Sequence, residues 1–394
     1  MKQSIFFAAV LWLLSLPVAA QSSLEQVLQQ VESHNPELQA GGQRALSEKL
    51  QARAANNLSD PTATYSHLYG NQEGMGFTGE FILSQSFDFP TAYRQRARWA
   101  KARAASLDQG QAALRQQILL QAEELCLDLV WLNQQRQLLE TRRTQAEALA
   151  ALYEKRLAEG DANVLETNKI QLELLNVKTE VRLNEAARVE KLGQLTSLNG
   201  GEPIAFADTL YPVRALPASF DQYRAEALAA HAGLRTLSEE QQVAQQLVRV
   251  NKAQGLPGLE LGYRMNPSSG GMRYNGFLVG VSIPLFSNRH QVKQAQAQSR
   301  CADLLLSSAT SSVEQELSAL YQRAQTVESS MAEYRELLDR QNNLQLLNKA
   351  VTAGQISLIA YFVDVQSYYQ SLQNYLQLQN EYQKALAKLY QYKR

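Results

Sequence analysis

From Thr91 to Leu157 the chain runs 67 residues with no proline and a single glycine, Gly110. As one helix that stretch is roughly 100 Å long at 1.5 Å per residue. Ser287 to Ala353 is a second run of 67 residues without proline. Globular domains rarely build such helices, whereas coiled coils do. The apolar spacing agrees. Leu125, Leu132, Leu139, Ala146 and Tyr153 step by seven, with Leu165 and Leu172 expected opposite them; Leu358, Phe362, Val365, Tyr369, Leu372 and Leu376 step by 4, 3, 4, 3, 4. Seams of this period close knobs-into-holes against neighbouring helices.

The two long runs belong to a chain that repeats itself once. His34-Asn35-Pro36-Glu37-Leu38 has a counterpart in His231-Ala232-Gly233-Leu234 at an offset of 197, and Asp60-Pro61 in Leu256-Pro257 at 196. Phe89-Pro90 matches Ile283-Pro284, and Gly160 matches Gly354, both at 194. Four landmarks in one order predict a tandem duplication, with units at 22–200 and 218–394 joined by a Gly- and Pro-marked linker at 201–217. Each unit reads as helix, two strands, very long helix, glycine turn and returning helix. The fold class is therefore mainly α with a small β part. In the first unit the opening helix runs from Leu24 to Asn57 with a break at Pro36. Strands are expected at about 62–70, 76–89, 258–266 and 274–284, and hairpin tips near 158–164 and 352–358.

The strands alternate. Ala63, Tyr65, His67 and Tyr69 share one face, and so do Phe77, Phe81, Leu83, Phe87 and Phe89; Thr78, Glu80, Ser84, Ser86 and Asp88 take the other. Leu259, Leu261, Tyr263 and Met265 oppose Glu260 and Arg264, and Phe277, Val279, Val281 and Ile283 oppose Gly276, Gly280 and Ser282. In a soluble domain such strands form a half-buried sheet. Here two strand pairs stand between giant helices, and one chain cannot close them in lipid, where an open edge leaves backbone groups unpaired. Three chains would supply twelve strands, an even number suited to membrane barrels. The expected lipid-facing residues are Phe77, Phe81, Phe87, Tyr263 and Phe277.

Other features bound the function. Lys2, an apolar run from Ile5 to Leu16 and the small residues Val18-Ala19-Ala20 predict a signal peptide over 1–20. With 38 basic and 38 acidic residues the formal charge is zero, which argues against nucleic acid as a partner. Four histidines in different elements form no pair at metal spacing, no phosphate-cradling glycine loop occurs, and no Ser or Cys nucleophile has a motif context. No enzyme site, metal or cofactor is expected. Cys126 lies 36 residues past Pro90 and Cys301 17 past Pro284. That stagger is roughly 28 Å along a helix, so both thiols are expected buried and outside a disulfide.

The order of elements, duplicated behind a signal peptide, resembles the TolC-like outer membrane efflux protein family over the whole mature chain. The local features that carry the resemblance are Tyr153-Glu154-Lys155-Arg156-Leu157-Ala158-Glu159-Gly160-Asp161-Ala162-Asn163-Val164-Leu165 and Ala353-Gly354-Gln355-Ile356-Ser357-Leu358. Both are similar to that family's hairpin tip, a glycine followed by a short polar stretch and a leucine. The resemblance implies a homotrimer, with a twelve-stranded barrel in the outer membrane above an α-helical periplasmic tunnel. It also implies docking of a periplasmic adaptor (membrane fusion) protein, itself bound to an inner-membrane pump of RND or ABC type. On this chain the docking tips would be Gly160, Asp161, Val164 and Leu165, with Gly354, Gln355, Ser357 and Leu358. Family members carry an acidic ring shortly after the second tip. Here Ala360 and Val363 stand where an acid would be sought, and the nearest is Asp364, ten residues past Gly354 and about 15 Å along the helix. Asp364 is the candidate gate. Arg94, Arg96, Arg98, Lys101 and Arg103, and then Arg289, His290 and Lys293, follow the strand pairs; with Tyr93 and Trp99 they are expected to meet lipid head groups.

The expected role is a passive exit duct for small molecules or metal ions. Two alternatives stay open: the exit duct of a type I protein secretion system, and a periplasmic coiled-coil adaptor or scaffold with no barrel.

Overall fold

The computed structural model describes residues 23–286, 288–340 and 343–393. The leader expected at 1–20 lies outside them. In chain order the elements are α1 (Leu24–His34), α2 (Pro36–Ala54), β1 (Thr62–Tyr69), β2 (Phe77–Phe87), α3 (Pro90–Ala158), α4 (Val164–Leu198), α5 (Phe220–Ala230), α6 (Ala232–Ala253), β3 (Gly258–Pro267), β4 (Arg273–Ser282), α7 (Gln291–Arg340), α8 (Asn343–Thr352) and α9 (Leu358–Leu389). Among the described residues no helix is long and apolar enough to cross a membrane.

Local chemistry sets the boundaries. Ser23 and Gln26 form a capping box that starts α1. Pro36 and Pro90 open α2 and α3 at the position where a missing N–H costs nothing. The second long helix was expected from Ser287 but begins at Gln291, because His290 holds a positive φ of 68° that helical geometry excludes.

The chain packs as two compact units, each drawing on both halves of the sequence. Of the described residues, the first comprises 23–35, Gln121–Arg214 and those within Thr326–Ala387. In it, Leu125, Leu132, Leu139, Ala146 and Tyr153 of α3 are all buried, so the seven-residue seam is real. The facing stripe on α4 is Ile170, Val177 and Asn184, not Leu165 and Leu172, which are exposed. Residues two apart lie about 200° apart around a helix; α4 carries apolar side chains on both faces, and composition cannot say which one meets α3. On α9, Leu358, Val365 and Tyr369 join Leu149, Tyr153, Ile170, Val351 and Tyr361 in one core, with Phe362 and Leu372 partly buried against it.

Polar contacts lock the same unit. Asp128 of α3 accepts from Asn380 at 2.9 Å and Lys384 at 3.0 Å of α9, and pairs with Lys191 of α4 at 3.1 Å. The linker is strapped to α3. Asn133 donates to the Asp208 carbonyl at 3.0 Å and Gln134 to the Thr209 carbonyl at 2.8 Å; Arg214 pairs with the buried Glu123 at 2.6 Å.

Of the described residues, the second unit comprises Pro36–Leu120, those within Ala215–Gln325, and 388–393. Here Arg103 pairs with Glu48 at 2.6 Å, Gln111 donates to the Leu38 carbonyl at 2.9 Å, and Tyr223 donates to the Leu389 carbonyl at 2.6 Å. Cys126, in the first unit, is buried as expected; Cys301 is exposed on α7, against expectation, and the two form no disulfide. The seam spacing that buries Cys126 is not followed around Cys301, where Leu304 and Leu305 are exposed too.

The second unit also holds the four-stranded antiparallel sheet, in the order β1-β2-β3-β4. The β2–β3 ladder, with Leu83 opposite Tyr263 and Phe87 opposite Leu259, joins the hairpins of the two sequence halves.

Candidate functional site

Residues directly opposite in an antiparallel ladder share a face. Tyr65 faces Phe81, Phe81 faces Met265, Leu83 faces Tyr263, and Tyr263 faces Phe277. One largely apolar and aromatic face therefore crosses all four strands, with His67, Gln85 and Asn275 as its polar members. Tyr263 and Phe277 are exposed on it, Phe277 to 92%. Phe77, Phe81 and Phe87 lie on the same face but are half-buried by neighbours; His67 stacks on Phe77 with ring centres 4.6 Å apart. The opposite face carries Thr64, Ser66, Ser84, Ser86, Glu80, Glu260 and Arg264, with Leu68, Ile82 and Leu278 among them, and there Arg264 forms an ion pair with Glu80. β1 and β4 end the sheet as open edges. Sequence alternation marked each strand's faces. What it missed is that β2 pairs with β3 in a phase that merges them.

The two tips, in the first unit, share one backbone design. Asp161 N–H donates to the Arg156 carbonyl at 2.8 Å around Gly160, and Gln355 N–H donates to the Ala350 carbonyl at 2.8 Å around Gly354. These are Schellman motifs, and the glycines supply the required φ of 81° and 72°. Asn163 then caps α4 in a capping box with Glu166, and the Ser357 hydroxyl accepts from Ala360 N–H at 3.2 Å to start α9. Arg156 donates to the Thr352 carbonyl at 3.0 Å, tying the tips together. Gly160, Asp161, Val164, Leu165, Gly354 and Gln355 are exposed and Ser357 is exposed beside them, but Leu358 is only 3% exposed. Leu358 is thus a core residue, and its neighbour Ile359, at 60%, takes the outward place. Adjacent helical residues point about 100° apart, so a one-residue error moves the side chain from surface to core.

Asp364 is exposed on α9, where it lines a groove with Tyr334, Leu337, Leu347 and Tyr368. One turn further, Arg142 pairs with Glu173 at 2.5 Å and Glu180 at 3.1 Å and lies over the ring of Tyr369. The Tyr369 hydroxyl donates to Gln145 at 2.8 Å. Burial, with Glu173 adding to it, pushes the Tyr361 phenol up to about 12, and its hydroxyl donates to Asn348 at 2.6 Å.

Of the basic residues after the first strand pair, Arg96 pairs with Asp88 at 2.5 Å and lies 4.6 Å from the centre of the Tyr93 ring, and Arg103 is taken by Glu48. These two are occupied internally; Arg94, Arg98 and Lys101 are exposed, as are Arg289, His290 and Lys293. Among the described residues no group of three His, Cys, Asp or Glu side chains is arranged to hold a metal ion.

No protein-family model and no curated protein matches this chain. Solved structures match along nearly its whole length. CusC, studied for transmembrane channel formation, superposes with a TM-score of 0.81 at 15% identity, covering 95% of this chain and 92% of that one. The outer-membrane channel OprN gives 0.79 at 14% identity, covering 94% and 89%. The outer membrane protein VceC of Vibrio cholerae gives 0.77 at 16%, covering 94% and 95%. The chain has the TolC-like outer membrane factor fold. At such low identity the likeness lies in the fold. In this outer membrane factor fold the two-faced sheet and the paired tips sit on separate compact units.

Proposed function

We propose that this chain is a passive outer-membrane channel subunit of a tripartite efflux system, exporting small molecules or metal ions, and not an enzyme. One observation carries the reading: a four-stranded sheet with a largely apolar face, a largely polar face opposite, and two open edges. Phe277 at 92% exposure and Val279 at 73% are unfavourable in water over so wide a face. Lipid removes that cost for the apolar face but forbids the open edges. Three copies resolve both, each β4 pairing with the next copy's β1 to close twelve strands with the polar face around water. The duplicated halves at 22–200 and 218–394 then contribute six strands each to the trimer. The tips at Gly160 and Gly354 are the docking surface for a periplasmic adaptor, with Val164, Leu165 and Ile359 as its apolar contacts, and Asp364 sets a ring of three carboxylates near that end.

Cysteines placed on the outer edges of β1 and β4, for example Ser66→Cys with Leu278→Cys, should cross-link neighbouring copies into a trimer in outer-membrane fractions. A protein that stays monomeric and water-soluble without detergent defeats the reading.

A further inference from the structure

Arg249 and Lys252 near the end of α6, and Lys293 and Arg300 in the first turns of α7, line one groove in the second unit, with Gln296 and Ser299 between them. No acidic residue lines it. Among the described residues none of these four cations has an ion-pair partner, in contrast to Arg96, Arg103 and Arg264. The next acid along α7, Asp303, accepts instead from Gln241 at 2.8 Å. Four like charges around one groove repel unless an anion sits among them.

The surroundings say which anion. Lys252 lies six residues before β3, at the end of the sheet where the helices begin. Two residues, Asp88 and Phe89, connect β2 to α3, whereas residues 283–290 connect β4 to α7. That longer connection presents Ile283, Leu285 and Phe286 to solvent at 65%, 73% and 82% exposure, immediately before the helix that carries Lys293. Ile283 continues the phase of Val279 and Val281 on the sheet's apolar face. Along the chain, the cations of α7 therefore follow an exposed apolar strip that continues the sheet's apolar face.

We infer that this groove binds the head group of an anionic phospholipid, whose acyl chains lie along Ile283, Leu285 and Phe286. The arginine forks and lysine ammonium groups meet the phosphate oxygens, and Gln296 and Ser299 meet head-group hydroxyls. The inference rests on the channel reading, because it needs the sheet in a bilayer.

The test titrates the full-length protein in detergent with short-chain phosphatidylglycerol, phosphatidylcholine or inorganic phosphate, and reads its melting temperature. Phosphatidylglycerol alone should raise it. In the R249Q/K252Q/K293Q variant the apparent affinity should fall on the order of 100-fold, while K169Q/R182Q, altered on α4, should respond as wild type. An unchanged response in the triple variant, or the same shift from phosphate or phosphatidylcholine, overturns the inference. Fractionation separates the two failures. A wild type that enters the outer membrane yet ignores phosphatidylglycerol defeats this inference alone, and one that stays in the aqueous fraction defeats the channel reading too.

Discussion

The guanidinium of Arg142 lies 5.3 Å from the ring centre of Tyr369, a cation over a buried aromatic face. The same guanidinium pairs with Glu173 and Glu180, so one side chain of α3 holds both α4 and α9. With the Arg142 side chain 12% exposed, these contacts are only partly screened. Arg142→Ala should destabilise the unit by about 1–3 kcal/mol. Arg142→Lys should recover only part of that, because a point charge cannot serve two carboxylates and a ring as the planar fork does. Limited trypsin digestion would read the change as faster cleavage at the exposed Lys155. Equal cleavage in wild type and Arg142→Ala would refute the clamp.

Asp128 ties three helices through its carboxylate. Burial raises its pKa, but hydrogen bonds from Asn380, Lys384 and Lys191 outweigh burial and leave it below the ordinary 3.8. A carboxyl with a folded pKa below its unfolded value binds protons more readily when unfolded. Its stabilisation is complete above about pH 5 and is lost as pH falls through the folded value. Wild type should therefore melt at lower temperature on acidification below pH 4, and Asp128→Asn should melt lower at pH 7 with a shallower acid dependence. Parallel pH profiles for the two proteins would remove Asp128 from the account.

How far the sequence is legible follows from where the physics is local. A proline-free run and a glycine with a positive φ are local facts, so α3 and the turns at Gly160 and Gly354 are readable in advance. The choice between two apolar stripes on α4 is not, because it depends on which helix arrives. Ile170 and Val177 are buried while Leu165 and Leu172 are exposed, for no reason that composition states. The β2–β3 ladder pairs residues about 180 apart, such as Leu83 and Tyr263, and no pattern within either strand names its partner. The cationic groove has the same character: Arg249 and Lys252 carry no signal until α6 lies beside Lys293 and Arg300.

The tip glycines separate backbone strain from packing. A Cβ added at Gly160 or Gly354 would meet nothing within 4 Å, so any cost of substitution comes from the positive φ. Alanine at either position should destabilise by about 1 kcal/mol, and asparagine, which tolerates this conformation, by less. Thermal melts of G160A, G160N, G354A and G354N would decide it. Alanine and asparagine variants of equal stability would mean that the turns relax away from the left-handed conformation.

The sheet gives the most direct test of its two faces. Tyr263 and Ser84 belong to adjacent strands but opposite faces, since Tyr263 stands across from Leu83 and Ser84 across from Gly262. If the apolar face meets lipid, a lysine at Tyr263 should cost about 2–4 kcal/mol near the bilayer midplane and less toward either interface. A lysine at Ser84, on the more polar face, should then be tolerated apart from crowding and charge repulsion by Arg264. The yield of detergent-extracted trimer from outer membranes should therefore fall for Tyr263→Lys and hold for Ser84→Lys. A soluble half-buried sheet would reverse the ranking only if Ser84 faced its core. Yields that fall together would show that both faces are packed, and no water-filled barrel could then be built from these strands.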